Sequence, residues 1–237
     1  MSAIRGARER ARAEITEAIK EEAGRQLAEH GSSGLSLRAV SRELGMASSA
    51  LYRYFPSRDD LLTALIVESY DELGDAVEAA DAGVRRRDDL AKRFLAVCRA
   101  IRDWARTNPH EYALLYGSPV PGYVAPATTV PAAARVTGAF LGLAQESERT
   151  GGEVAPTGPL SEAELVALGP VREALATPVS DARLLRWLMA WKTVFGHVSL
   201  EQFGHMYRGV VDYDAHFTQV TRQLAADLGL TRAADLT

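Results

Sequence analysis

"GMASSALYRYFPSRDDLL", residues 45–62, decides the fold. Leu51 and Phe55 stand four apart, so they share one face of a short helix, and that face must be buried. The opposite side carries Ser48, Ser49, Tyr52 and Arg53. It is small and polar, with one large aromatic and one cation, and reads either as ordinary wet surface or as a surface shaped to touch another molecule. Pro56 ends the helix because a proline ring cannot continue it. Ser57-x-x-Asp60 then has the pattern of a capping box, which starts the next helix, expected from Arg58 to about Glu78.

Upstream, Ile15, Ala18, Ile19, Ala23 and Leu27 form an apolar stripe on a charged helix, predicted from about Ala7 to His30 and ended by Gly31. Ser36 reads as the N-cap of a two-turn helix from Leu37 to Leu44, with Leu35 and Val40 placed as a hydrophobic staple and Gly45 closing it. Two short helices joined by a tight glycine-containing turn and packed on a longer one make a helix-turn-helix. Its small core is expected from Leu37, Val40, Leu44, Met46, Leu51 and Phe55. A recognition helix needs a buried stripe to fix its angle and an exposed stripe to reach phosphates and base edges. Ser48, Ser49, Tyr52 and Tyr54 supply hydroxyls, Ala50 permits close approach and contact with a thymine methyl, and Arg58 can pair with a phosphate. Arg5, Arg8, Arg10 and Arg12 read either as an arm for phosphates or as a solvated helix start.

Beyond Asp88 the periodicity predicts further helices: about Asp88 to Arg106, Pro109 to Tyr116, Ala132 to Glu148, Ser161 to Ala176 with a break at Gly169-Pro170, Asp181 to Gly204, and Asp214 to Leu228. "GSPVPGYVAPATTVP", residues 117–131, is rich in Pro and Gly and reads as a loop. The expected architecture is all-α: a three-helix DNA-binding domain over residues 1–60, and a larger helical effector-binding and dimerisation domain over 61–237. "LLRWLMAWKTVFGHVSL", residues 184–200, is apolar almost all round and cannot face water. It must be central, or covered in an oligomer, or both. The last two long helices are therefore expected to pair across a homodimer.

The bulk chemistry excludes several classes. A net charge of −4 argues against a chain that coats nucleic acid or anionic membrane over its whole surface. Residues 1–58 nevertheless hold ten Lys and Arg against seven Asp and Glu, a balance of +3, which leaves −7 for the rest. The single cysteine, Cys98, rules out an internal disulfide framework and suits a reducing cytoplasm, where it packs as a small hydrophobe. No run of some eighteen apolar residues is present, so no membrane span is expected. No nucleophile elbow, P-loop or Rossmann fingerprint appears, and the chain is not read as an enzyme. His197 and His205, eight apart with only Glu201 between them as a further ligand, are read as core or interface histidines, so no metal and no cofactor is expected. Trp104, Tyr112, Tyr116, Phe140, Trp187, Trp191 and Phe195 either line a pocket for a largely apolar effector or are ordinary core aromatics.

"LSLRAVSRELGMASSALYRYFPSRDDLLTALI", residues 35–66, resembles the DNA-binding domain of the TetR family of transcriptional regulators. The likeness covers about residues 8–66 and rests on the capped second helix, the glycine turn, the Leu-Tyr-x-Tyr-Phe pattern and the Pro-Ser-Arg-x-x-Leu start of the fourth helix. It implies that Arg38, Ser48, Ser49, Ala50, Tyr52, Tyr54 and Arg58 contact double-stranded operator DNA. Ser41, Met46 and Arg58 stand where alanine, valine and lysine are more usual. Further on, "LLYGSPVPGY" and "WKTVFGHVSLEQFGH" are similar to the WHG-type C-terminal domain of some of these regulators, with Phe195 where a histidine is more usual. The resemblance implies a homodimer, in most cases a repressor, released from its operator by a small molecule. A helical small-molecule-binding protein that keeps the head as scaffold, and a ligand-independent DNA-binding protein, remain open on the residues alone.

Overall fold

A computed structural model of the chain describes residues 2–31, 34–150 and 152–230, with side chains from residue 6 onward. Among the described residues there are eleven α-helices and no strand. In chain order they are α1 (Ser2–His30), α2 (Leu37–Glu43), α3 (Ser48–Leu51), α4 (Arg58–Ala82), α5 (Leu90–Thr107), α6 (Pro109–Tyr116), α7 (Val130–Thr150), α8 (Glu162–Ala167), α9 (Gly169–Glu173), α10 (Asp181–Gln202) and α11 (Tyr213–Asp227). No helix among the described residues is long and apolar enough to cross a membrane.

The chain forms two compact units: Met1–Asp71 with Asn108–Ala132, and Glu72–Thr107 with Ala133–Thr237. The division does not follow a single cut near residue 60. It passes through α4, between Thr107 and Asn108, and through α7.

In the first unit the helix-turn-helix core gathers Ile19, Ala23, Leu27, Leu35, Leu37, Val40, Leu51, Phe55, Leu61 and Leu62. Leu44 and Met46 are half-buried at its edge rather than within it. The local signals act as their chemistry requires. Ser36 caps α2 by accepting from the Ala39 N–H, and Leu35 and Val40 are both buried beside it. Gly31 and Gly45 end α1 and α2 at φ of 69° and 62°, where a side chain would be strained. Ser57 accepts from the Asp60 N–H at 3.1 Å and donates to its carboxylate at 2.7 Å. Lys20 of α1 ion-pairs with Glu68 of α4, a contact on the same unit's helices.

The same unit also takes in α6 and the Pro/Gly-rich segment after it. Leu114, Leu115, Val120 and Tyr123 pack on the helix-turn-helix core. The Tyr123 hydroxyl lies 3.0 Å from that of Thr63, and the Tyr70 and Tyr116 rings meet edge to face at 6.2 Å. A segment without periodicity offers no face to read, so the docking of Val120 and Tyr123 is a property of the fold alone. The segment is also shorter than its composition suggests, since α7 already begins at Val130. Pro131 fits there because the first helical turn has no use for its N–H.

In the second unit α5 buries Phe94, Val97, Cys98, Ile101, Trp104 and Ala105, and α5, α10 and α11 pack on one another. Phe94, Phe140 and Trp187 form an edge-to-face trio with centroids 5.7 to 6.4 Å apart. Such pairs add about 0.5–1.5 kcal/mol each beyond their buried area. The Trp187 indole donates to the Ser147 hydroxyl at 3.2 Å, so the buried N–H is satisfied. The nearly buried Arg102 guanidinium pairs with Glu201 through two bonds of 2.7 and 2.8 Å and also reaches Asp214. This ties α5 to both α10 and α11. Leu168, Val179 and Leu184 make a smaller cluster under α8 and α9, which part at Leu168, one residue before the expected Gly169-Pro170, because those two residues open α9. Cys98 is fully buried, and burial pushes its thiol well above the ordinary range, so it packs as a hydrophobe.

Candidate nucleic-acid interface

α3 is short because its start is polar and its end is stopped. Four residues, Ser48–Leu51, are α-helical. The chain then tightens, with Arg53 N–H bonding to the Ala50 carbonyl and Tyr54 N–H to that of Leu51, until Phe55 bonds back to Leu51. The result is a two-turn rod from Ser48 to Phe55. Leu51 is fully buried and Phe55 nearly so, which fixes the rod against the core. Ser48, Ser49, Tyr52 and Arg53 are all exposed on the other side. Tyr52 leaves 43% of its surface in solvent, a large aromatic with no place in the core.

The remaining candidates divide between exposed side chains and braced ones. Arg38 is exposed on α2 and, like Arg53, makes no ion pair among the described residues. Both guanidiniums are therefore available to a polyanion. Ala50 is half-buried next to the exposed serines. Ser48 is braced from behind: its hydroxyl lies 3.1 Å from that of buried Ser41, which itself donates to the Arg38 carbonyl at 3.0 Å. With the Ser41 proton spent, Ser48 donates to Ser41 and turns its lone pairs outward. Arg58 is half-buried, and its Nε donates to the Leu35 carbonyl at 3.2 Å, so it ties α4 to the start of α2 as well as lying near the face.

Tyr54 has a brace that the sequence did not reveal. The Arg12 guanidinium stands over its ring at 5.0 Å, and the same group donates to the Arg53 carbonyl at 3.4 Å. Arg12 thus holds the C-terminal end of the rod from α1, forty-one residues away in sequence. Arg8 and Arg10 are exposed farther up α1, and the side chain of Arg5 lies outside the described residues.

The aromatics proposed for an effector fall into three groups. Tyr112 and Tyr116 sit together in the first unit with centroids 5.1 Å apart. Phe140 and Trp187 belong to the trio with Phe94 in the second, and Trp191 and Phe195 pair at 5.4 Å on α10. Trp104 is buried on α5. His197 packs against His216 and Phe217 at 5.3 and 5.1 Å, whereas His205 is exposed. No three His, Cys, Asp or Glu side chains come together as a metal-holding group among the described residues.

A two-turn rod with a buried back and an exposed hydroxyl, aromatic and guanidinium front, set on a three-helix core, is the geometry of a major-groove reader. Residues 19–65 match the family described as bacterial regulatory proteins of the tetR family, and residues 94–224 match the Tetracyclin repressor-like C-terminal domain. The chain belongs to the TetR family. HTH-type transcriptional regulator Rv1816 of Mycobacterium tuberculosis is 42% identical over 234 residues, which cover 94% of this chain and 96% of that protein. Among solved structures, the regulatory protein SCO4313 is similar at a TM-score of 0.77 and 30% identity, over 92% of this chain and 98% of its own. A protein from Rhodococcus sp. RHA1 shares the fold at a TM-score of 0.69 and 24% identity, over 91% of this chain and 95% of its own. This TetR-family chain is accordingly an all-α, helix-turn-helix, DNA-binding transcriptional regulator.

Proposed function

We propose that the protein is a repressor that binds a pseudo-palindromic operator as a homodimer and leaves it when a small, largely apolar effector binds the second unit. The observation that carries the DNA half is the reading rod itself: Ser48, Ser49, Tyr52 and Arg53 exposed together on a helix held by Leu51 and Phe55. Tyr52 and Ser49 are assigned to base edges, Arg38 and Arg53 to base edges or phosphates, and Ser48, Tyr54 and Arg58 to backbone contacts made from braced positions. Ala50 lets the rod approach closely. Two such rods related by a two-fold axis enter successive major grooves about 34 to 36 Å apart.

The effector half rests on the aromatic trio around Phe94, Phe140 and Trp187, with Trp104, Trp191 and Phe195 on the same set of helices. Three chain segments run from that unit into the one that reads DNA, within α4, between α5 and α6, and within α7. A ligand that binds two conformations of these helices unequally shifts the population between them, and with it the spacing of the two rods.

The test is a fluorescence-anisotropy titration against the intergenic DNA beside the gene, with excess nonspecific competitor and two salt concentrations. The wild-type chain is expected to bind saturably. Tyr52→Ala should lose about 1–3 kcal/mol of specific affinity while nonspecific binding keeps its salt dependence. Unchanged affinity in Tyr52→Ala would remove the proposed reading face. A small-molecule panel scored by melting temperature and by DNA release then tests the effector half.

A further inference from the structure

Lys92, Leu95, Ala96 and Arg99 recur on α5 at spacings of three and four, and Phe217, Thr218, Thr221 and Arg222 face them from α11. Together they line an open cavity of about 290 Å³ within the second unit. It lies on a different face of α5 from Phe94, Val97 and Ile101, which point into the core. The floor is apolar: Phe217 is buried and Leu95 and Ala96 are half-buried. Thr218 and Thr221 donate their hydroxyl protons to carbonyls of their own helix, at 2.8 and 2.9 Å, so the floor offers a ligand no free donor from them.

The rim is cationic. Lys92, Arg99 and Arg222 are exposed around the opening, and no carboxylate lines it. Several other cations of the unit are neutralised: Arg93 by Asp81 and Glu146, Arg102 by Glu201 and Asp214, Arg106 by Asp214, Arg183 by Glu148. Lys92, Arg99 and Arg222 join no ion pair among the described residues, although the chain after residue 58 carries a net −7. Three uncompensated cations around an apolar hollow repel one another and focus a positive potential at its mouth. An anion relieves that repulsion, and because the floor has no donors to give, its charged head must stay at the rim while the floor accepts hydrocarbon.

We propose that the groove between α5 and α11 binds a small organic anion, its carboxylate, sulfonate or phosphate head among Lys92, Arg99 and Arg222 and its apolar body over Leu95, Ala96 and Phe217. The volume is at the lower end for small-molecule sites and suits a short chain or compact ring system. The site is independent of the effector reading above, which rests on the interior aromatics.

The test uses the full chain and anilinonaphthalene sulfonate, an aromatic sulfonate that fluoresces when desolvated. Saturable binding at one dye per chain is expected. The double substitution Arg99→Gln with Arg222→Gln, at two exposed positions, should weaken it roughly tenfold or more. Ala96→Trp, which fills the floor and keeps every charge, should abolish it. Circular dichroism and melting temperature establish that each variant is folded, and the double substitution alone decides the matter if Ala96→Trp is not. Octanoate should displace the dye at far lower concentration than inorganic phosphate. Absence of saturable binding, an affinity unchanged in Arg99→Gln with Arg222→Gln, or phosphate competing as well as octanoate would each overturn the proposal.

Discussion

Arg12 acts on the DNA-reading rod from outside it. Its guanidinium covers the Tyr54 ring and donates to the Arg53 carbonyl, so one side chain orders both a ring and the backbone at the rod's C-terminal end. A cation over an aromatic ring at an exposed site is worth about 0.5–1 kcal/mol, too little to hold the domain together but enough to set a side chain. Arg12→Ala should therefore lower operator affinity by roughly two- to fivefold while the melting temperature stays nearly constant. Arg12→Lys, which keeps the charge without the planar fork, should recover only part of the loss. Anisotropy titrations of the two variants beside thermal melts check this. Equal affinity in wild type and Arg12→Ala would mean that Leu51 and Phe55 alone set the rod. Ser41 illustrates the same point at a smaller scale: by accepting a hydrogen bond from the Ser48 hydroxyl it decides which atoms of Ser48 face outward.

At the scale of elements, α10 is buried on one side and exposed on another, and its buried side holds a pH-sensitive contact. His197 is buried against His216 and Phe217, and its Nε2 has no hydrogen-bond partner among the described residues. Burial first, then the neighbouring His216 and Arg102, push its pKa below the ordinary histidine value of 6.5, with Glu201 acting in the opposite direction. A histidine with a depressed pKa binds its proton more readily unfolded than folded. Its contribution to stability is thus complete above pH 6.5 and is lost as the pH falls from there toward the depressed value. The melting temperature should fall through that window, and His197→Phe, which keeps an aromatic ring beside Phe217, should flatten the profile. A profile equally steep in the variant would assign the effect to other groups. The helices themselves were legible in the sequence because caps and periodicity are local: Ser36, Gly45 and Ser57 act within four residues of where they stand. The exposed face of the rod was legible for the same reason. What escaped was long-range, the Arg12 brace and the docking of Val120 and Tyr123 on the first unit's core, because neither contact has a spacing to betray it.

At the scale of the whole molecule, the proposed palindromic reader needs two chains, and the exposed side of α10 is the surface predicted to join them. Met189, Thr193, Gly196, Leu200 and Phe203 follow one another at steps of four, three, four and three residues, the spacing of a helix seam. All five are exposed in the single chain, with Met189, Leu200 and Phe203 leaving 45%, 48% and 43% of their surface in solvent. Water does not suit large apolar side chains in a row, and the proposed homodimer would cover them with a second copy of the same row related by a two-fold axis. Gly196 at the middle leaves the face open, since a Cβ placed there meets nothing within 4 Å in the single chain. Leu200→Glu puts a carboxylate into that seam on both sides at once. The variant is expected to stay folded, because Leu200 is exposed and not among the buried core residues, and to sediment as a monomer where the wild type is expected to sediment as a dimer. Operator affinity should fall with it, since each chain then binds a single half-site and the free energy of the second is lost, while nonspecific binding per rod is retained. Analytical ultracentrifugation paired with anisotropy on full and half operators separates the two effects. A Leu200→Glu chain that remained dimeric would place the two-fold axis on another face. One that became monomeric yet bound the full operator as tightly as wild type would show that the two rods read DNA independently, against the paired-groove reading.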